Sequence, residues 1–376
     1  MSRNATKDLT TGSPMKLILG FGIPLLFGML FQQFYNMMDT IIVGKFLGVR
    51  ALASVGATGS INFMIIGFCM GVCNGFAIPV AQRFGAKDEH GMRKFVANSV
   101  WLSIIFAVVM AVLVCVFCRQ ILELMNTPED IIDGSYSYIF VIFLGIPATY
   151  MYNLLSGIMR SLGDSKTPLY LLIFSSILNI ILDLLSIIVL KMGVAGAAWA
   201  TVIAQAVSGF CCLGVIWKKF PILHVQREEW QPDKFCILNL CNMGIPMGLQ
   251  YSITAIGSVI IQAAVNSLGS VAVASVAAAV KINMFLCCPY DAMGSTMATY
   301  AGQNVGAGKF DRLKQGEKSC TLLGLIYGIA AFIFILLFGK YLALLFVDAS
   351  EEVIINQAHL FLMCNSAFYF SLALVN

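Results

Sequence analysis

Asp39, Asp183 and Asp291 are carboxylates embedded in long apolar runs, and Lys281 is a cation placed the same way. An ionisable side chain in such a setting is costly, so it marks an ion, proton or substrate pathway unless a neighbour explains it. Asn179 stands four residues before Asp183 and Tyr35 four before Asp39, so on helices each pair shares a face. Reading the first run outward from Lys16 puts Asp39 in its outer half. Asp183 lies about 22 Å beyond Pro168, and Thr201 about 8 Å inside the outer end of the following run, at a helical rise of about 1.5 Å per residue. Asp39, Asn179, Asp183 and Thr201 thus offer carboxylate, amide and hydroxyl oxygens at one depth, the ligand type a small hard cation such as Na+ prefers. The same carboxylates could instead share a proton, because low dielectric and a close like charge both favour a neutral acid. The plainer alternative is that each aspartate only hydrogen-bonds a neighbouring helix. Pro24 shares a run with Asp39, where it removes one backbone hydrogen bond and invites a kink, as a hinge or as a static bend. Asp291 is a secondary candidate, and Lys281 either snorkels to the interface or pairs with it.

Holding such groups at depth requires membrane-spanning helices. The chain of 376 residues is 59% hydrophobic and 11% charged, too apolar for a soluble protein. Ten spans are expected, at 17–44, 51–80, 95–118, 134–159, 167–190, 193–217, 235–265, 271–301, 319–339 and 353–376, each long enough for a bilayer core of about 30 Å. Continuous rather than alternating apolarity implies helices, not a barrel. With the amino terminus cytoplasmic, 17 of the 23 Lys and Arg residues, Arg3 and Arg160 among them, fall on the inner side, which fixes that orientation. The net charge of +4 is explained by this topology, and no nucleic-acid partner is expected. Outer loops carry Glu123, Glu129, Asp130 and Asp133, and later Asp348, Glu351 and Glu352.

A repeat organises these spans. At an offset of 221, residues 47–64 and 268–285 share nine identities in eighteen positions, from Leu47 and Gly48 to Ile61 and Asn62. Gln82, Gly85 and Ala86 return as Gln303, Gly306 and Ala307, and Gly22-Ile23-Pro24 as Gly244-Ile245-Pro246. Basic loops follow the second span of each copy, so the halves cross in the same sense and the repeat is parallel. The expected fold is an all-α polytopic membrane protein of two pseudo-symmetric lobes, each a six-helix unit. These are an amino-terminal lobe over 1–217, a cytoplasmic linker over 218–234 and a carboxy-terminal lobe over 235–376 that holds four of six helices. A truncated second lobe is the expectation, since counterparts of 166–217 are absent. The twelve cysteines show neither disulfide nor zinc spacing and are read as packing residues. The first run is too long for a signal peptide and is expected to stay as a helix. Gln303 to Gly308 reads as a helix-ending turn rather than a phosphate cradle, for it lacks the Lys-Ser/Thr pair. An enzyme is not expected: His90 and His224 fall in inner loops, His359 lies near an outer helix end, and no nucleophile-base spacing appears.

The stretches Gly48 to Ala57, Gly163-Asp164-Ser165-Lys166-Thr167-Pro168, Asn179 to Asp183 with Gly193 to Thr201, and Gly302 to Gly308 resemble the multidrug and toxic compound extrusion (MATE) family, nearer its DinF-like branch. The resemblance runs from about Ser13 to Asn376. It implies two six-helix lobes and export of cationic or amphiphilic drugs, driven by entry of Na+ or H+. It also implies an amino-lobe ion site at Asp39, Asn179, Asp183 and Thr201, with Tyr35 lining the cavity. Some members use acids in their seventh and tenth helices, which this chain lacks, so coupling is expected in the amino lobe. The resulting reading is a plasma-membrane antiporter, monomeric, with no cofactor beyond its coupling ion. A lipid-linked oligosaccharide flippase of the same superfamily is the alternative; its cargo would demand a more cationic cavity than these spans suggest.

Overall fold

The computed structural model describes residues 6–345 and 351–375, so Arg3, Asp348 and Asn376 lie outside it. The first half comprises α1 (Pro14–Leu47), α2 (Val49–Ala57), α3 (Gly59–Gly85), α4 (Glu89–Val116), α5 (Cys118–Leu124), α6 (Glu129–Leu144), α7 (Ile146–Ser161), α8 (Lys166–Leu184) and α9 (Gly193–Lys219). The second comprises α10 (Lys234–Asn266), α11 (Ser270–Gly306), α12 (Phe310–Ala343), α13 (Glu352–Ala367) and α14 (Tyr369–Val375). No strand occurs among the described residues, and eight helices there are long and apolar enough to cross a membrane. A ninth span forms if α6 and α7, bent by 46° at Gly145, count as one. The run expected at 353–376 is α13 and α14, broken at Phe368; at 16 residues, α13 alone reaches about 24 Å.

Local chemistry repeats with the sequence. In both copies the second long helix ends in the same three backbone bonds: Ala86 N–H to Gln82 O, Lys87 to Phe84 and Asp88 to Arg83, matched by Ala307 to Gln303, Gly308 to Val305 and Lys309 to Asn304. This is a helix-terminating turn with a left-handed residue, which is Lys87 at φ 58° in one copy and Gly308 at φ 68° in the other. The copies differ upstream. Thr58 donates its hydroxyl to Val55 O at 2.7 Å and separates α2 from α3, whereas α11 runs unbroken through the equivalent position.

The halves meet through α3 against α10 and α1 against α11. Backbones approach closely where Gly75 faces Gly244, since a Cβ on Gly75 would lie 2.5 Å from the Gly244 Cα. Small residues permit such crossings, which dispersion and packing then stabilise. Farther along, at the end of the bundle bearing the amino terminus and the basic turns, a Cβ on Gly85 would overlap the Gln303 carbonyl and one on Gly306 the Gln82 carbonyl. Gln303 Nε2 donates to Ser161 O at 2.8 Å, and its Oε1 accepts from Leu9 N at 2.8 Å. Residues 7–10 form a strap across this basic end. Lys7 N donates to Leu162 O at 2.9 Å, Asn304 Nδ2 to Leu9 O at 3.3 Å, and Lys309 Nζ to Thr10 O at 2.9 Å. Burial would raise the Asp8 carboxyl, but hydrogen bonds from Thr10 and the charges of Lys309 and Lys87 outweigh it and hold the group below its usual range. Beneath the strap Leu9, Ile18, Phe21 and Leu25 pack with Ala292 and Tyr300 of the other half. At the opposite end Gly56, Gly59, Gly257 and Gly269 face open space. The bundle is latched at its basic end by the Gly85, Gly306 and Gln303 contacts.

Residues 218–234 are docked rather than loose. Short 3-10 turns at Pro221–Leu223 and Arg227–Trp230 lie on α4, where buried Glu229 accepts from Arg93 Nε at 2.8 Å and Gln226 N at 2.8 Å and faces His90 Nδ1 at 2.9 Å. Trp101 Nε1 donates to Trp230 O at 3.0 Å and Asp233 N to Asn98 Oδ1 at 2.9 Å.

Candidate functional site

Helix α8 begins where Asp164 caps it, accepting from the Lys166 and Thr167 amides at 3.0 Å each. About four and five turns later, at about 3.6 residues per turn, Asn179 and Asp183 stack on its inward face, 1% and 0% exposed. Immediately after Asp183 the helix widens into a π turn, Leu185–Val189, a distortion frequent at functional sites. The chain returns in α9, whose Gly196 allows close approach to Ser186, and Thr201 arrives opposite Asn179. Thr201 Oγ1 lies 3.3 Å from the Asn179 amide nitrogen. With that amide turned over, its nitrogen donates to Asp183 Oδ2 at 3.3 Å while its oxygen accepts from Thr201 Oγ1 at 3.3 Å and Thr201 N at 3.2 Å. The turned arrangement satisfies more groups and links Thr201, Asn179 and Asp183 in series.

Helix α1 supplies the fourth group. Asp39 is 8% exposed, and its carboxyl is in side-chain contact with that of Asp183. One oxygen of each, Asp39 Oδ1 and Asp183 Oδ1, is buried with no hydrogen-bond partner. Two touching carboxylates cannot both stay ionised without a counter-charge, and buried acceptors without donors carry a desolvation cost. Such a pair calls for either a shared proton or a cation. The donor set, carboxylate oxygens with an amide and a hydroxyl alongside, fits a hard cation.

Half-buried Tyr35 stands one turn from Asp39 and within electrostatic range of both aspartates. Tyr138 of α6, 6% exposed, faces the same pair. Sequence reasoning missed Tyr138, because its one-turn neighbours Gly134, Ser135, Val141 and Ile142 include no acid or amide that would tie it to the aspartates. Pro24 lies within α1, fifteen residues before Asp39, and α1 is helical through it. Asp291 is exposed on α11, near Tyr251 and separate from the pair of Asp39 and Asp183. Lys281 is exposed and makes no ion pair with Asp291, ten residues farther along the same helix. Arg160, expected in a basic loop, is instead turned into the bundle, where its Nη2 donates to Asn74 Oδ1 of α3 at 3.1 Å.

Comparison with known proteins agrees with this architecture. The MatE family profile matches residues 24–185 and 246–376. The chain is 31% identical over 353 residues to the probable multidrug resistance protein YoeA of Bacillus subtilis, spanning 91% of this chain and 75% of that one. It is 29% identical to the probable multidrug resistance protein YpnP of the same organism, over 94% of this chain and 79% of the relative. An FAD transporter of Shewanella oneidensis is 23% identical, over 88% of this chain and 74% of its own length. Among solved structures, the outward-facing conformation of a multidrug resistance MATE family transporter superposes with a TM-score of 0.90 at 24% identity, covering 98% of this chain and 82% of that one. At that identity the likeness is one of fold. Profile matches in both halves and a relative 31% identical across 91% of the chain lead to one conclusion: this chain belongs to the MatE family, whose members are membrane transporters rather than enzymes.

Proposed function

We propose that the chain is a secondary active exporter of cationic or amphiphilic organic compounds, driven by Na+ or H+ entering in exchange. Asp39, Asn179, Asp183 and Thr201 form the coupling site. The observation that carries this reading is the buried contact between Asp39 and Asp183, each with an oxygen lacking a donor. An ion or proton bound there neutralises the pair; its departure restores repulsion, which α1 and α8 relieve by separating. Because Asp39 shares a helix with Pro24, that movement is transmitted toward the basic end, where the halves are latched. The names of the relatives from Bacillus subtilis, both probable multidrug resistance proteins, support drug-like cargo.

The basic end faces the cytoplasm of a plasma membrane, consistent with the inward bias of Lys and Arg. The chain acts as a monomer of two lobes, divided near the docked segment 218–234. Alternating access follows when the latched end opens and the opposite end shuts. Ethidium efflux from proteoliposomes, with Na+ and pH gradients imposed separately, tests the proposal. Wild type should respond to at least one gradient and Asp39→Asn to neither. Ethidium movement indifferent to both gradients would rule out secondary transport.

A further inference from the structure

Arg160 sits in the last turn of α7, close to water at the basic end, where a long cation ordinarily extends toward the interface. Its side chain does the opposite. The Nη2 atom lies 3.8 Å from where a Cβ on Gly157 would be, one turn back into the bundle, and donates to Asn74 Oδ1 at 3.1 Å. Groups that face the guanidinium electrostatically are Tyr152 of α7, Tyr251 of α10, Cys73 of α3 and Cys212 of α9. None is a carboxylate, and no carboxylate pairs with it among the described residues. Just below, Gln303 on Ser161 O and Lys7 on Leu162 O seal the basic end. The half-buried Arg160 side chain therefore lies just inside this seal, against α3 and within electrostatic range of α10 of the other half.

An arginine stays charged, and a partly desolvated charge without a counter-ion is unfavourable. Of its five N–H donors, the hydrogen bond to Asn74 occupies one. Tyr251, from the opposite half, lies within electrostatic range of both Asn74 and Arg160, with Asp291 acting on the tyrosine but not on the guanidinium, so α3, α7 and α10 each bring a polar group to this place. A planar guanidinium with free donors matches a carboxylate or phosphate by two parallel bonds. We infer that Arg160, Asn74 and Tyr251 form an oxyanion subsite, which takes the carboxylate or phosphate group of an amphiphilic cargo. This rests on the exporter reading and narrows it: preferred cargo carries an acidic group besides its apolar body. Since Tyr251 belongs to the other half, the subsite is assembled while the basic end is closed and parts when that end opens.

The test uses the purified chain and two fluorescent probes, anionic carboxyfluorescein and cationic ethidium, with binding read by anisotropy. Arg160→Gln should weaken carboxyfluorescein at least about tenfold, the worth of a charge-assisted hydrogen bond. Ethidium should bind the same variant more tightly, because a repelling cation has gone. Arg160→Lys should recover part of the carboxyfluorescein affinity. A merely structural role would lower both affinities together, and that result overturns the proposal. So does wild type that binds ethidium but not carboxyfluorescein, an outcome that leaves gradient-driven export intact. Inorganic phosphate competing with carboxyfluorescein in wild type supports the subsite. Nanodiscs with and without phosphatidylglycerol separate the sources: Arg160-dependent displacement by that lipid overturns assignment to cargo in favour of a headgroup, while its absence supports cargo.

Discussion

Gly85→Ala strikes the seal between the halves at the basic end. A methyl group there would occupy the space of the Gln303 carbonyl, and backbone cannot yield as a flexible side chain does. The end of α11 must then retreat, taking with it two bonds of the Gln303 side chain, from Leu9 N and to Ser161 O, both 2.8 Å. At about 1 kcal/mol each, their loss moves the ratio of closed to open basic ends roughly thirty-fold toward open. Gly306→Ala, which meets the Gln82 carbonyl from the other side of the pseudo-symmetry, should act the same way. Electron–electron resonance distances between spin labels on unnatural amino acids at exposed Glu89 and Lys314 read the population and avoid the twelve native cysteines. Wild type should show one short distance, and both variants a longer one as the main component. Gly56→Ala, where a Cβ meets nothing within 4 Å, should match wild type. Short distances retained in Gly85→Ala and Gly306→Ala alike would refute the claim that this contact holds the end shut.

Three further outcomes are expected. Thr201→Ala removes one neutral hydrogen bond to Asn179, so the ion concentration giving half-maximal transport should rise about fivefold, for about 1 kcal/mol; Thr201→Ser should stay near wild type. Pro24→Ala restores a backbone donor in α1 and should slow transport several-fold, and a rate equal to wild type would show that Pro24 is only a static bend. For Glu229, burial would raise the carboxyl, but the Gln226 amide, Arg93 and His90 outweigh it and hold it below its ordinary value of 4.5. Because the folded value is the lower one, its stabilisation is complete above about pH 4.5 and fades as pH falls toward the folded value. Glu229→Gln should therefore lower the melting temperature in detergent at neutral pH by the worth of about 1–3 kcal/mol and by progressively less in acid.

Periodicity and composition sufficed for what depends on the bilayer and on helical spacing. Asp39, Asn179, Asp183 and Thr201 were legible together because each stands at a countable depth in an apolar helix. The repeat was legible in Gln82, Gly85, Gln303 and Gly306, whose identities persist since the two turns use the same backbone bonds. What resisted reading were features decided by neighbours. Thr58 ends α2 through its own hydroxyl, yet the matching stretch of α11 stays straight, so local sequence does not dictate the break. The π turn after Asp183 and the 46° bend at Gly145 depend on what packs beside them. Charge counting places Arg160 in a loop, because a count sees only where its Cα lies and not that the side chain reaches back to Asn74. Tyr138 joins the aspartates only through the tertiary placement of α6, which packs on α9 and α2.

Ion release on cargo binding tests the account most directly. Purified protein loaded with ²²Na+, or held in weak buffer with a pH dye, is mixed with ethidium, and the ions or protons set free are counted per ethidium bound. Wild type should release Na+ or H+ as the dye binds, while Asp39→Asn and Asp183→Asn bind dye and release neither. Undiminished release from both variants would contradict the claim that the touching aspartates hold the coupling ion.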